Sequence, residues 1–212
     1  MSTAILERAP NVGAAIIGKV AAVLRSIHHP EVQLAIWQRE RPQALEWIDG
    51  LDLNTIEVID TQIPASDCAP EISALLDGAG YPCGQDRDAL AIELAAHAAG
   101  FALLMGCERL HMRLEVIDTD ACRKFHMDYV TARLLMPLHG PGTQWIETAY
   151  GSDAPVNQLG LGHVAIFKGR LSVEEPAILH RSPPVASTGT MRLLFVLNAA
   201  AGPLPDAAEC LG

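Results

Sequence analysis

Several features that mark common functional classes are missing from this sequence. It contains 15 Lys and Arg residues against 25 Asp and Glu residues, which gives a formal net charge of −10. The few basic residues form no cluster, whereas a protein that binds a nucleic-acid backbone needs basic residues to neutralise phosphates and release counterions. We therefore do not expect nucleic acid to be a partner of this protein.

Cysteine is scarce and irregularly spaced. The five cysteines form no CxxC pair, and their odd number is a poor fit to a disulfide framework. A reducing compartment is the simpler setting for such a chain, so we expect a cytoplasmic location. The positions are Cys68, Cys83, Cys107, Cys122 and Cys210.

The sequence has no run of eighteen uncharged apolar residues, so it predicts no membrane span. Its apolar stretch from Val12 to Leu24 is interrupted by Lys19, and no small-residue cleavage site follows it. We interpret the region from Val12 to Ser26 as an amphipathic helix and not as a signal peptide.

The length of 212 residues and the 50% hydrophobic content are sufficient for one domain, 1–212, with a large core. A change of pattern near residue 106 divides it. Asp88–Met105 is apolar on nearly every face, which predicts a buried helix. From His111–Ile117 onward, short alternating segments are separated by Gly/Pro turns at hairpin spacing. We expect residues 1–106 to be mainly helical support, 107–198 a β-barrel core, and 199–212 a tail.

The fold class is therefore predicted to be α+β, with a C-terminal antiparallel barrel or two-sheet roll packed against N-terminal helices. The N-terminal half is expected to contain one or two strands and two short helices. The predicted strands are Val32–Trp37 and Asp52–Ile59, and the predicted helices are 42–50 and Glu71–Asp77.

The chemistry of the chain centres on His126-Met-Asp128. Residues two apart on an extended chain project to the same side, so this imidazole and this carboxylate are expected to face one point in space. A second imidazole, from His180, is expected to reach that point from a distant strand. Two His and one carboxylate on one face of a metal, with other positions open, suit non-haem Fe(II) in oxygenases.

Two other interpretations of these residues remain open. In the first, His126 and Asp128 are an ordinary hydrogen-bonded pair, and His180 is a turn residue before Pro183. In the second, Cys122 joins the three residues in a tetrahedral zinc site. Four residues of extended chain separate Cys122 from His126, roughly 13 Å, so the thiolate reaches the site only if the chain bends.

The order of motifs after the predicted ligand segment is also informative. The turn Gly140-Pro-Gly142 follows it, the predicted strand Gly162–Phe167 leads toward His180, and Arg192 begins the last apolar strand. This order resembles the Fe(II)/2-oxoglutarate-dependent oxygenase superfamily, whose double-stranded β-helix carries His-x-Asp early, a distal His late and a basic residue on the next strand. The resemblance implies that the β core is a jelly-roll, cupin-like double-stranded β-helix.

The same resemblance implies roles for individual residues. The three predicted ligands would hold iron, and Arg192 would bind the distal carboxylate of 2-oxoglutarate, with Thr190 or Ser182 adding a hydroxyl. Arginine suits this role because its planar fork binds a carboxylate through two parallel hydrogen bonds. Arg133 is a second arginine that is equally able to hold the cosubstrate.

An arginine at the start of an apolar strand is costly to bury without an anionic partner. Either Arg192 pairs with an internal carboxylate such as Asp128 or Glu147, or it faces the metal cavity and waits for a carboxylate ligand. We expect the second arrangement, because the resembled enzymes place this residue on the strand after the distal His.

Over nearly the whole chain, the amino-acid sequence resembles an uncharacterised bacterial domain-of-unknown-function family. That resemblance implies no established activity, but it implies an association with zinc homeostasis, which keeps zinc as an alternative metal. The expected function is a 2-oxoglutarate/Fe(II) dioxygenase (hydroxylase) of unknown substrate, and the alternative is a non-catalytic cupin-like zinc-binding or zinc-homeostasis protein. The family resemblance rests on the segments Ile36-Trp-Gln-Arg39, Phe125-His-Met-Asp128, Arg133-Leu-Leu, Gly140-Pro-Gly-Thr143 and His180-Arg-Ser-Pro183.

Overall fold

The computed structural model describes residues 13–186 and 188–199. The predicted tail after residue 199, Cys210 and the predicted helix start at Val12 lie outside the described residues. The described chain is α+β. Its strands are β1 Ala15–Gly18, β2 Leu34–Trp37, β3 Ile59–Pro64, β4 Arg109–Ile117, β5 Ala132–His139, β6 Gln144–Glu147, β7 Asn157–Gln158, β8 Val164–Lys168, β9 Ile178–Arg181 and β10 Arg192–Ala199.

Helices connect these strands mainly in the first half of the chain. The α-helices are α1 Ala69–Gly78 and α2 Gln85–Met105, and the 3-10 helices are Ala21–His28, Gln43–Gly50, Leu53–Thr55 and Thr148–Asp153.

Two sheets organise the strands. The larger has seven strands in the order β1-β2-β8-β5-β10-β4-β3, and the smaller has three in the order β7-β6-β9. The pairings are antiparallel except that of β1 with β2, which is parallel. The large, mainly antiparallel sheet that the sequence predicts is therefore present.

The seven-stranded sheet is covered on both faces. Side chains of successive residues in a strand point to opposite faces, so neighbouring residues join different apolar clusters. On β10, Phe195 and Leu197 pack into the core that contains α1 and α2. Their neighbour Val196 joins a second apolar cluster on the opposite face, together with Trp145 of β6 and Ile178 of β9. The smaller sheet thus lies against the face of the large sheet that does not carry the helices.

Helix α2 confirms the predicted helix over Asp88–Met105, but not its burial on every face, because Ile92 and Leu103 are exposed. Leu94 and Phe101 are buried against the sheet, and Gly106 ends the helix with φ of 62°, a left-handed conformation that favours glycine. The helix is also long and apolar enough to cross a membrane, with 44% of the relevant window buried. Because the core helix of a folded domain meets the same criterion, this is weak evidence for a membrane location.

The helix predicted from Val12 to Ser26 is wrong over its first half. Ala15–Gly18 forms β1, which pairs in parallel with β2, and only Ala21–His28 is helical, as a 3-10 helix. A local apolar pattern does not distinguish a short edge strand from a helix. Residues 15–18 are extended because they pair with the edge of β2.

The strand predicted over Asp52–Ile59 is also wrong for most of its length. Asp52 accepts a hydrogen bond from the backbone N–H of Asn54 and begins the 3-10 helix Leu53–Thr55, so the strand starts only at Ile59. Residues 13–106, the described part of this half, contribute three strands to the large sheet, where the sequence predicted one or two.

Candidate metal centre and adjoining pocket

The two predicted histidine ligands are joined through their backbones. His126 and His180 form an isolated antiparallel β-bridge, in which each N–H donates to the other's carbonyl oxygen at 2.9 Å. His180 lies in β9, so it is not the turn residue of the alternative interpretation. His126 lies outside the regular strands, but the bridge gives it the extended geometry that the sequence predicts.

The structure brings all three predicted ligands together. The metal-binding atoms of His126, Asp128 and His180 lie within 4.8 Å of one another. The Oδ2 atom of Asp128 is 2.9 Å from Nε2 of His180, and its Oδ1 atom is 3.6 Å from Nε2 of His126. Within the described part of the chain this is the one group of three or more His, Cys, Asp or Glu side chains close enough to share an ion.

The orientation of the His126 ring suits a ligand. Its Nδ1 atom lies 2.8 Å from the carbonyl oxygen of Lys124, so Nδ1 carries the proton and donates it there. The lone pair of Nε2 is then free to face Asp128 and His180, as is usual for a metal-bound imidazole whose other nitrogen donates to a carbonyl. The His180 ring is held between the rings of His126 and Phe167, with centroids 4.8 Å away on each side.

Asp128 is ionised and largely enclosed. Burial acts to raise the pKa of Asp128, but its contacts with His126 and His180 and the charge of Arg133 outweigh it and place the pKa well below its ordinary value. The same contact with Asp128 raises the pKa of His126. Burial lowers the pKa of Arg133, whose Nη1 atom is 2.7 Å from Oδ2 of Asp128.

The chemistry of the donor set fits a divalent cation, and one of its atoms, Oδ2 of Asp128, is buried. Nitrogen atoms of Arg133 and His180 lie 2.7 Å and 2.9 Å from it, yet no N–H is aligned on it for a hydrogen bond. A buried acceptor is normally satisfied. A carboxylate whose two oxygens each lie beside an imidazole nitrogen belongs to a donor set that Fe(II) and Zn(II) accept.

Arg192 is a buried cation with neutral partners. It is 1% exposed and donates from Nε to the carbonyl of Pro141 at 2.6 Å, from Nη1 to Ser182 Oγ at 2.7 Å and from Nη2 to Thr143 Oγ1 at 3.3 Å. It forms no ion pair within the described residues, so Asp128 and Glu147, the partners of the alternative arrangement, do not neutralise it.

Burial lowers the pKa of Arg192 to about 10, and the charge of Glu115 acts in the opposite direction. The guanidinium therefore remains charged at neutral pH. Among the residues predicted beside it, Ser182 accepts a hydrogen bond from it, whereas the Thr190 backbone N–H donates to Thr188 Oγ1. Arg133, the other residue predicted to bind the cosubstrate, forms an ion pair with Asp128.

Thr143 was missed as a partner of Arg192, although its turn was recognised in the sequence. The turn packs so closely that side chains are excluded from it. A Cβ atom on Gly140 would lie 2.3 Å from the carbonyl oxygen of Met191, and one on Gly142 would lie 1.9 Å from that of Leu159. The Gly-Pro-Gly-Thr sequence is the signal that this backbone approaches another segment.

A cavity of about 460 Å³ joins the ligand cluster to the surroundings of Arg192. The Arg192 side chain lies behind the wall of this cavity, and its partners Ser182 and Thr143 form part of the wall. Ser182 lies two residues beyond His180, a rise of roughly 6.6 Å along an extended chain. The apolar part of the wall includes Leu135, Leu194 and Val196.

Cys122 lines the same cavity, but its sulfur is not among the clustered ligand atoms. The chain does not bend enough to bring the thiolate to the three predicted ligands. The tetrahedral site with one Cys, two His and one Asp is therefore not formed.

Comparison with solved structures gives the class to which this fold belongs. The dioxygenase for auxin oxidation 1 from Arabidopsis thaliana, solved as a complex with 2-oxoglutarate, aligns with 10% identity and a TM-score of 0.53 over 95% of this chain and 98% of that one. The dioxygenase for auxin oxidation from rice aligns with 12% identity and a TM-score of 0.50 over 93% of this chain and 87% of that one. At these identities the likeness shows a shared fold.

Residues 18–198 match the family described as protein of unknown function (DUF1826), and the chain belongs to that family. No functionally curated protein matches the sequence. The resemblance to a family of unknown function and the resemblance to oxygenases, both stated from the sequence, are confirmed.

Proposed function

We propose that this protein is an Fe(II)/2-oxoglutarate-dependent dioxygenase that hydroxylates a small-molecule or protein substrate. We also propose that its two facing sheets are the double-stranded β-helix of that superfamily. The observation that carries the proposal is the cavity that joins the His126, Asp128 and His180 cluster to Ser182 and Thr143, which are the hydroxyl partners of a buried arginine, Arg192, that has no carboxylate partner among the described residues.

The proposed ligands are suited to holding iron without closing its coordination sphere. His126 is fixed by the Lys124 carbonyl, His180 is fixed between two rings, and Asp128 supplies the negative charge. Iron bound there would supply the coupling of substrate hydroxylation to oxidation of 2-oxoglutarate, in which one atom of O₂ enters the product and the other enters succinate as CO₂ leaves.

The role proposed for Arg192 follows from the cost of its burial. An uncompensated buried charge is strongly destabilising, and hydroxyl and carbonyl partners offset this only in part. A guanidinium has five N–H donors, of which three are used by Pro141, Ser182 and Thr143. Two donors remain for the distal carboxylate of a 2-oxo dicarboxylic acid whose other end lies at the ligand cluster. Because Ser182 and Thr143 line the cavity and Arg192 does not, the two hydroxyl side chains would turn aside when that carboxylate binds.

The apolar wall has a separate role in this proposal. Leu135, Leu194 and Val196 would contact the methylene groups of the cosubstrate and exclude water between its two ends. Excluding water strengthens the interaction of Arg192 with a bound carboxylate, because electrostatic interactions increase as the local dielectric constant falls.

The alternative function is a non-catalytic zinc-binding or zinc-homeostasis protein. It is disfavoured because Cys122 does not join the cluster, which leaves three ligands and open positions where a structural zinc site has four protein ligands. The cytoplasmic location and the lack of a nucleic-acid partner stay predictions from the sequence.

One anaerobic experiment separates the two functions. Fe(II) and 2-oxoglutarate added to the purified protein without a metal-chelating tag are expected to produce a weak visible charge-transfer band, which is absent from Asp128→Ala. The exposed-histidine variant His29→Gln serves as the control and should retain the band. Absence of the band at saturating 2-oxoglutarate, together with tight zinc binding, would support the zinc function instead.

A further inference from the structure

A continuous series of polar contacts leads from Asp128 across the large sheet to the surface. Arg133 Nη1 lies 2.7 Å from Asp128 Oδ2, and Arg133 Nε donates to Asn198 Oδ1 at 2.8 Å. The Asn198 amide nitrogen is 3.2 Å from His111 Nδ1, and the other nitrogen of His111 forms a short contact with Asp60.

The strand register explains why these residues meet. Arg133 of β5 lies directly opposite Asn198 of β10, and Asn198 lies directly opposite His111 of β4. Residues directly opposite on neighbouring antiparallel strands have side chains on the same face and within reach of each other. The three side chains therefore form one polar row on the face of the sheet that carries the ligand cluster.

Donors and acceptors match along this row in only one arrangement. Because Arg133 can only donate, the Asn198 oxygen must face it, and the Asn198 amide N–H groups must face His111. Nδ1 of His111 then accepts, so its Nε2 carries the proton directed at Asp60. Each member fixes the next, and the Arg133 guanidinium is held in one orientation toward Asp128.

We infer that Arg133 is a positioning residue that restricts Asp128 to one metal–oxygen bond, and that Asn198 and His111 hold Arg133 in place for this role. The inference rests on the proposed function, since it concerns the same metal centre. Ligation by both oxygens of Asp128 would require Oδ2 to turn away from Arg133 Nη1, which lies 2.7 Å from it.

Binding of Asp128 through one oxygen, and not two, determines how many coordination positions of the metal stay open. An octahedral metal with two histidines and one carboxylate oxygen keeps three positions, enough for a chelating 2-oxo acid and O₂. A carboxylate that binds through both oxygens leaves two positions. Arg133 would thereby preserve the position that the proposed reaction needs.

Arg113 provides a matched control. It lines the same cavity as Arg133, but its ion-pair partner is Glu115, at 2.8 Å, and not Asp128. Replacing either arginine with glutamine removes one positive charge from the cavity wall. Only the replacement of Arg133 also frees Asp128, so a comparison of the two separates positioning from charge.

The experiment uses Co(II), whose visible spectrum reports coordination number, in the full-length protein. Wild type is expected to bind one equivalent. Arg133→Gln is expected to bind Co(II) with a changed spectrum and with 2-oxoglutarate affinity for the Co(II) form reduced at least about 10-fold, the scale typical of ligand-supporting residues. Arg113→Gln should keep the wild-type spectrum and an affinity within about 3-fold of wild type.

Two further variants test the row itself. Asn198→Leu keeps the charge of Arg133 but removes its anchor, so it should shift the spectrum in the same direction as Arg133→Gln by a smaller amount. Arg133→Lys keeps an ion pair to Asp128 and should recover part of the wild-type spectrum. If Arg133→Gln does not fold, the Co(II) spectrum of Asn198→Leu tests the positioning role of Arg133 by itself.

The outcomes distinguish this inference from the proposed function. If Arg133→Gln and Asn198→Leu both give the wild-type Co(II) spectrum and 2-oxoglutarate affinity, the positioning role is overturned while the metal centre stands. If wild type binds no Co(II), the metal centre and the inference fall together.

Discussion

His126 and His180 donate backbone hydrogen bonds to each other, at 2.9 Å in both directions, although they come from distant parts of the chain. The pairing connects the segment before β5 to β9 through main-chain atoms alone. The relative position of the two imidazoles is therefore set by the backbone, and replacing either side chain leaves the bridge in place. This relationship makes side-chain substitution a fair test of ligation.

The first prediction concerns the metal. Wild type is expected to bind one equivalent of Fe(II) or Co(II), and His126→Ala or Asp128→Ala should reduce the affinity by at least about 100-fold, because each removes one of three ligands. Metal content after dialysis and isothermal titration would measure the effect.

The control for this prediction is His29→Gln, which removes an exposed imidazole outside the cavity and should bind metal as wild type does. Equal metal content in wild type and both ligand variants would show that the ion is held elsewhere.

The second prediction concerns Arg192 and uses a pair of ligands that differ only in the distal carboxylate. With metal bound, 2-oxoglutarate should raise the melting temperature of wild type more than 2-oxopentanoate does at the same concentration. A ligand at about 100 times its dissociation constant stabilises the folded state by roughly 2.7 kcal/mol. Arg192→Gln should remove the difference between the two ligands, because glutamine has no charge to pair with the carboxylate.

A scanning-fluorimetry titration of each ligand provides the measurement. Wild-type protein that responds equally to both compounds would rule out recognition of the distal carboxylate. Discrimination that survives in Arg192→Gln would assign recognition to another residue.

The ligand cluster could be predicted from the sequence because it depends on local chain geometry. His126 and Asp128 are two residues apart on an extended segment, so their shared direction follows from chain geometry, and the positions of His180 and Arg192 follow the order of a recognisable superfamily. The pairing of Arg133 with Asn198 could not be predicted from the sequence. It depends on the register of β5 with β10, which no local pattern specifies.

The N-terminal strands show the same limit in the fold. Helix α2 was predictable, because its apolar residues and the terminal Gly106 act locally. The strand β1 was not, because four residues gain their extended form by pairing with the edge of β2. Thr143 was found as a turn residue, but its contact with Arg192 depends on where the turn packs.

The third prediction concerns Gly142, which lies next to Thr143. Its Cβ would overlap the carbonyl oxygen of Leu159, so Gly142→Ala should destabilise the fold by about 2 kcal/mol or more through forced backbone movement. The same movement should displace Thr143 and weaken 2-oxoglutarate binding.

The comparison for Gly142→Ala is Gly100→Ala, in α2, where a Cβ meets no atom within 4 Å. That substitution should stabilise the protein by about 0.5–1 kcal/mol, because alanine has the higher helix propensity. Urea unfolding would measure both, and a neutral Gly142→Ala would contradict the close approach.

The last prediction concerns Asp49, which joins the 3-10 helix Gln43–Gly50 to the large sheet. Its carboxylate accepts hydrogen bonds from Arg41 and from His139, at the end of β5. The hydrogen bond from Arg41 is the largest cause that lowers the pKa of Asp49 to about 2; burial opposes it, and His139 adds to it. Because the folded-state pKa lies below the ordinary value of 3.8, the stabilisation is fully present above about pH 4 and is lost as the pH falls toward 2. The Asp49 side chain is 52% exposed, so solvent screening limits the contribution to about 1 kcal/mol.

Asp49→Asn should therefore be less stable than wild type at pH 6, and the difference should shrink as the pH falls from 4 to 2. Asp153→Asn, at an exposed carboxylate, should show no such trend. Urea midpoints measured across this range provide the test, and a difference that stays constant with pH would exclude the ionised pair as its source.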